Sequence, residues 1–174
     1  MTAKGVVVCV AVLSSCGSMQ PTDPDVSPVA IAPDGITFIA GDRRTFTCVV
    51  EISGWILPPG NPVPLGVDFS MNLAGQTRPQ LPSIFLNPAQ LNALPVAAQI
   101  FLFAHECGHV NSGDPPSEVA ANCWGTTRID SQRIFNAAEW ETVRQVLIQR
   151  YPVAVGPYPS GDRQWELMQP CRRP

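Results

Sequence analysis

The chain contains two histidines, and they stand four residues apart in His105-Glu106-Cys107-Gly108-His109, within the apolar run Phe101 to Val110. On an α-helix, side chains four apart share a face, so both imidazoles can reach one metal ion. Glu106 follows His105 by about 100° around the helix, beside the metal rather than behind it. A carboxylate so placed can take a proton from a metal-bound water and pass it to a leaving amine. Cys107 lies about 200° from His105 and faces away. Gly108 lets a second backbone approach the helix closely, at a cost of about 1 kcal/mol relative to Ala. The apolar flanks are those of a buried active-site helix, and His-Glu-x-x-His on such a helix is a zinc-binding pattern.

Catalytic zinc takes three protein ligands and keeps one position for water. With no third histidine, the remaining ligand is a carboxylate, a cysteine or something rarer. Glu118 is the strongest candidate. It opens the helix that follows the short connector Asp114-Pro115-Pro116. Two adjacent antiparallel helices would then present His105, His109 and Glu118 together. Asp114 sits too near the turn, and Glu139 and Glu141 belong to a third helix. The plainer account of Glu118 is that acids favour a first helical turn through the helix dipole.

The elements that must position these residues carry local signals. The metal helix is expected to begin near Pro95 and to stop near Asn111-Ser112-Gly113. Ala97, Ile100, Phe101, Ala104 and Gly108 recur at helical spacing. Ser117 can cap a second helix from Glu118 to about Ile129. Asn136 with Glu139 forms a capping-box pattern and opens a third helix to about Arg150. In that helix Trp140, Val143, Val146 and Leu147 are core candidates. A short helix is possible around Asp162 to Met168. Upstream, Ile36–Ala40 and Arg44–Ile52 are β-branched and aromatic around Gly41-Asp42, which reads as a hairpin. Trp55 and Ile56 are expected to anchor the proline-rich loop that follows. Val67–Leu73 reads as a short strand and Gly75–Pro82 as loop. Ser83–Asn87 reads as a strand cut by Pro88. It is either a substrate edge, where an extended peptide can pair, or an ordinary core strand. The expected fold class is α+β: a small domain with a short mixed sheet, the active-site helix and two further helices.

Composition narrows the setting. The 174 residues suit one domain, and 45% hydrophobic content is enough for a core. A net charge of −3 gives no footprint for nucleic-acid binding. Nineteen prolines argue for loops and short elements rather than a helical bundle. Lys4 and the apolar run Gly5 to Leu13 read as an export signal, too short to remain as a spanning helix. The expected organisation is a signal peptide over 1–15, a proline-containing spacer over 16–33 and the functional domain over 34–174. With Cys9 in the signal and Cys16 set aside, Cys48, Cys107, Cys123 and Cys171 remain. Four cysteines suit two disulfides in an oxidising compartment, with three possible pairings. Cys107–Cys123 is favoured, because it would tie the back of the metal helix to the next helix. Cys48–Cys171 would then join the N-terminal part to the tail. The alternative is four buried thiols.

Two resemblances sharpen this. Leu13-Ser14-Ser15-Cys16-Gly17 resembles the lipobox of bacterial lipoproteins, which implies lipid attachment at Cys16. By the same resemblance, Gly17 rather than Asp implies the outer membrane, facing the periplasm. The pair His105-Glu106-Cys107-Gly108-His109 and Glu118-Val119-Ala120-Ala121-Asn122 resembles gluzincin metallopeptidases, and within them the small HtpX-like, minigluzincin type. That resemblance covers residues 83–163 and implies Glu118 as third zinc ligand and a peptide or protein substrate. It also implies residue 122 as the partner of the first histidine, where this chain has Asn in place of the usual Asp. Tyr158-Pro159-Ser160-Gly161-Asp162-Arg163 is similar to a His-Pro-x-x-x-Arg segment of such enzymes. The similarity implies that Arg163 reaches the site and that Tyr158 donates to a developing oxyanion. A monomer is expected.

Overall fold

The computed structural model describes residues 27–53, 56–71, 75–78, 82–112, 117–156 and 159–172. It is an α+β fold of five helices and two three-stranded sheets. The expected signal peptide, Cys16 and most of the expected spacer lie outside the described residues.

The first sheet is antiparallel, ordered β1 (Ala30–Ile31), β2 (Thr37–Ile39), β3 (Thr45–Thr47). Phe38 and Phe46 face one another across β2 and β3, as the hairpin reading requires. The end of the expected spacer is corrected, because Ala30 and Ile31 pair with Ile39 and Phe38 as an edge strand. Ile56 does not anchor the next loop. It is 73% exposed, and Leu57 packs on the core instead; Trp55 lies outside the described residues.

The second sheet is mixed, ordered β4 (Leu65–Val67), β6 (Ser83–Leu86), β5 (Gly75–Arg78). β4 runs parallel to β6, and β5 antiparallel to it. Two expectations change here. β6 is the middle strand, so it offers no open edge. The stretch read as loop from Gly75 supplies the edge strand β5, with Gln76 opposite Phe85 and Thr77 opposite Ile84.

The short helix α1 (Pro88–Asn92) is capped by the Asn87 side chain. The 16-residue α2 (Val96–Asn111) carries the histidines and begins after Pro95. α3 (Glu118–Ser131) is capped by Ser117. α4 (Ala137–Arg150) has the Asn136–Glu139 capping box. α5 (Gly161–Met168) is followed by a 3₁₀ turn, Gln169–Cys171. None of the described helices is long and apolar enough to cross a membrane.

α2 is buried on more than one face, as expected of a helix laid between layers. Ile100, Phe103, Cys107 and Val110 join Phe38, Ile84 and Leu86 of the sheets in one core. Ala97 and Phe101 join Ile129, Trp140, Val143 and Leu147 of the helices in a second.

This layering decides the disulfides. α3 packs on the face of α2 that bears Gly108, where an added Cβ would come within 2.8 Å of Ala121 Cα. Cys107 points the other way, towards the hairpin, and bonds Cys48. The Cys107–Cys123 and Cys48–Cys171 pairings are therefore corrected to Cys48–Cys107 and Cys123–Cys171. The helix that follows α2 in sequence covers the side that bears the histidines, not its back.

Candidate metal centre

Two helices build the centre. His105 and His109 sit one turn apart on α2, and Glu118 is the first residue of α3. The Nε2 atoms of the histidines are 3.0 Å apart. Glu118 Oε2 is 3.3 Å from His105 Nε2 and 3.6 Å from His109 Nε2. The three side chains form a group that could hold a metal ion, their donor atoms all within 4.8 Å of one another. Glu118 Oε2 is buried and has no well-aligned hydrogen-bond partner. A buried carboxylate oxygen left this way is costly unless a cation compensates it. The two ring nitrogens can share one proton as N–H to N, or both can turn their lone pairs to one cation.

Charge follows the geometry. Burial acts to raise the Glu118 pKa, but contact with His105 and His109 and their positive charge hold it down to about 2. Burial acts to lower the His105 pKa. The Glu118 and Glu106 carboxylates and the Asn122 side chain outweigh it and raise the value above that of an ordinary imidazole.

Behind His105, Nδ1 donates to Asn122 Oδ1 at 2.8 Å. Asn122 thus occupies the place expected of it, one turn after Glu118 on α3. Among the described residues, His109 Nδ1 has no such partner.

Glu106 is 6% exposed, and β5 covers it. Thr77 Oγ1 lies 2.9 Å from Glu106 Oε2 and 2.8 Å from the Glu106 carbonyl oxygen, both acceptors for its single proton. Gly75 packs on the same side chain, and an added Cβ there would meet Glu106 Cγ at 2.9 Å. The sequence reading missed Thr77, because a Gly-Gln-Thr-Arg stretch carries no strand periodicity.

A mostly apolar pocket adjoins the group. Phe101, Leu102, Val143 and Leu147 line it together with His105, Glu118, Arg150 and Tyr151. Burial raises the Tyr151 pKa. Arg150 opposes that, and the Glu118 and Glu106 charges add to it, so the phenol lies within the field of both carboxylates. Tyr151 was not anticipated; its one signal is its position just after the third helix.

Arg163 does not reach the centre. It lies on the exposed face of α5 and pairs with Glu166, one turn on, at 2.8 Å. Its neighbour Gln164 is the inward residue, hydrogen-bonded to Asn122 at 3.2 Å. Tyr158 lies outside the described residues. The discarded acids are accounted for: Glu139 pairs with Arg44, and Glu141 is on the surface with Arg144. Asp114 lies outside the described residues.

Comparison with protein-family models, curated proteins and solved structures finds no match to this chain.

Proposed function

We propose that the protein is a zinc-dependent metallopeptidase of the bacterial cell envelope. The observation that carries this reading is the convergence of His105, His109 and Glu118 on one point, with the buried Glu106 carboxylate beside it. Ligands about 2.0–2.1 Å from a tetrahedral zinc stand about 3.3–3.4 Å apart. The three separations here, 3.0, 3.3 and 3.6 Å, bracket that value. Two imidazoles and one carboxylate also suit zinc better than calcium or magnesium, which prefer oxygen.

A bound zinc ion supplies Lewis acidity, lowering the pKa of water and polarising a carbonyl. The chain supplies the rest. Glu106 is the general base, and it later returns the proton to the leaving amine. Thr77 holds its Oε2, which leaves Oε1 as the atom that carries the proton. Glu118 stays ionised, as its pKa of about 2 requires. The apolar pocket beside the group would take a hydrophobic side chain of a peptide or protein substrate. Tyr151, which lines the same pocket as His105 and Glu118, is the candidate donor to a developing oxyanion, the role first expected of Tyr158.

A second reading has one observation in its favour. Arg163 is turned outward onto Glu166, so the arginine of the resembled peptidases is not delivered to the site. On that reading the chain is a non-catalytic zinc-binding envelope lipoprotein.

Metal content and peptide hydrolysis separate the two. One zinc per wild-type chain is expected, with loss in His105→Ala and His109→Ala. Near-stoichiometric zinc in both variants would sink the metal centre. Glu106→Gln should keep the zinc and lose hydrolysis of a broad peptide library by a factor of about 10² or more. Equal hydrolysis with and without Glu106 leaves the lipoprotein reading standing. Envelope attachment rests on the lipobox-like Cys16; Cys16→Ser should abolish detergent partitioning, and unchanged partitioning would refute it.

A further inference from the structure

A chain of buried amides runs from α5 to the imidazole of His105. Gln164 Nε2 donates to the Pro159 carbonyl at 2.8 Å. Asn122 Nδ2 donates to Gln164 Oε1 at 3.2 Å. Asn122 Oδ1 accepts from His105 Nδ1 at 2.8 Å. Asn122 is 3% exposed and Gln164 4%, so water does not readily substitute for any of these partners. Cys123, next to Asn122, is bonded to Cys171 just beyond α5. The two helices that carry the amides are thereby held together.

The polarity of this chain follows from its far end. A proline carbonyl only accepts, so Gln164 must turn its amino group towards it. Gln164 then presents an oxygen to residue 122, which must donate. The donor end of Asn122 is used there, so its remaining end is a carbonyl, which only accepts. His105 must therefore carry its proton on Nδ1. In the neutral ring that leaves the Nε2 lone pair aimed at the point shared with His109 and Glu118. An aspartate at position 122 has no proton to offer Gln164, and would set a carboxylate oxygen against an amide oxygen in a dry site.

We propose that Gln164 is a positioning residue of the metal centre, matched to Asn122, and that the pair selects the metal-binding tautomer of His105. The pair does this with neutral amides alone, and sets no second negative charge behind His105. The proposal rests on the metal reading for its purpose, but not for the hydrogen-bond chain itself.

The test uses the whole protein, the variants Gln164→Met and Asn122→Asp, and their combination. Zinc affinity is measured by competition with a chelator. The His105 tautomer is read from ring ¹⁵N shifts in metal-free protein, at a pH where the ring is neutral. In wild type the Nδ1–H tautomer should dominate, and Gln164→Met should give a mixture and bind zinc about 10-fold or more weakly. In the Asn122→Asp background, Gln164→Met should bring no weakening, because it removes an oxygen–oxygen opposition rather than a hydrogen bond. Equal weakening in both backgrounds would reduce Gln164 to a packing residue and overturn the pairing. If wild type binds no zinc, the metal centre fails by itself and the tautomer decides the chain; Nε2–H in wild type overturns it.

Discussion

Gly108 on α2 lies directly against the backbone of Ala121 on α3: a Cβ at Gly108 would come 2.8 Å from Ala121 Cα and 2.9 Å from its carbonyl carbon. Farther along the same crossing, Gly125 faces the backbone of Ala104, where a Cβ would stand 3.1 Å from the carbonyl carbon. The two glycines let the helices meet at backbone contact, and the same pair of helices brings Glu118 within 3.3 Å of His105.

Gly108→Ala should therefore destabilise the protein, despite the gain of about 1 kcal/mol that Ala brings to a helix interior. The obstacle is backbone, which cannot rotate aside, and overpacking of this kind costs about 1–3 kcal/mol or more. Zinc affinity should fall as well, because α3 must move outward with Glu118. Gly125→Ala, with looser contacts, should do less of both. Denaturant unfolding and chelator competition measure the two effects. A Gly108→Ala protein as stable as wild type would show that the helices are not in this contact.

The disulfides give a second expectation. Non-reducing peptide mapping should recover Cys48 with Cys107 and Cys123 with Cys171. Cys48 and Cys107 are 59 residues apart, and closing such a loop stabilises by about 4 kcal/mol in the chain-entropy model. The double variant Cys48→Ala/Cys107→Ala should lose about 2–4 kcal/mol in unfolding free energy. Peptides that join Cys107 to Cys123 would contradict the packing of α3 on the histidine-bearing side of α2.

What the sequence made legible is what is encoded locally. The ends of α2, the Ser117 cap and the Asn136–Glu139 box are signals of one to four residues, and each stands where it was expected. The His105, His109 and Glu118 group was legible because spacing on one helix fixes the two histidines, and Glu118 opens the next helix. β5 was not, because Gly75 to Arg78 lacks apolar alternation and is a strand only through its pairing with β6. The cysteine partners depend on which face of α2 meets α3, a long-range fact that composition does not carry. The difference between Arg163 and Gln164 is one step of about 100° on α5. A family-like arginine can thus be matched in sequence while its neighbour faces the site.

Glu118→Gln tests the third ligand. The change preserves shape, but an amide oxygen binds zinc more weakly than a carboxylate. Zinc affinity and peptide hydrolysis should fall together. The two histidines would also lose the charge that raises the His105 pKa, so the imidazole should titrate lower in the metal-free variant. Unaltered zinc affinity would assign the third position elsewhere. Arg163→Ala serves as the surface control, and should leave zinc affinity unchanged because the side chain pairs outward with Glu166.

Thr77 offers the most direct test of whether Glu106 works as a positioned base. Its hydroxyl lies 2.9 Å from Glu106 Oε2 and comes from β5, a strand that bears none of the His105, His109 and Glu118 group. Thr77→Val keeps the branched shape and removes the donor, leaving two acceptors of Glu106 with no proton from that side. Such a loss costs about 1–3 kcal/mol of stability in a buried site. If Glu106 is the base, kcat should drop about 10-fold or more while KM and zinc content hold, because a freed carboxylate is aimed correctly only part of the time. Thr77→Ser restores the hydroxyl and should recover most of the rate. Adding Thr77→Val to Glu106→Gln should bring no further loss of hydrolysis, since the group being positioned is already gone. Independent, multiplying losses would mean that Thr77 acts on the strand rather than on the carboxylate. Full activity in Thr77→Val would mean that Glu106 is held without it.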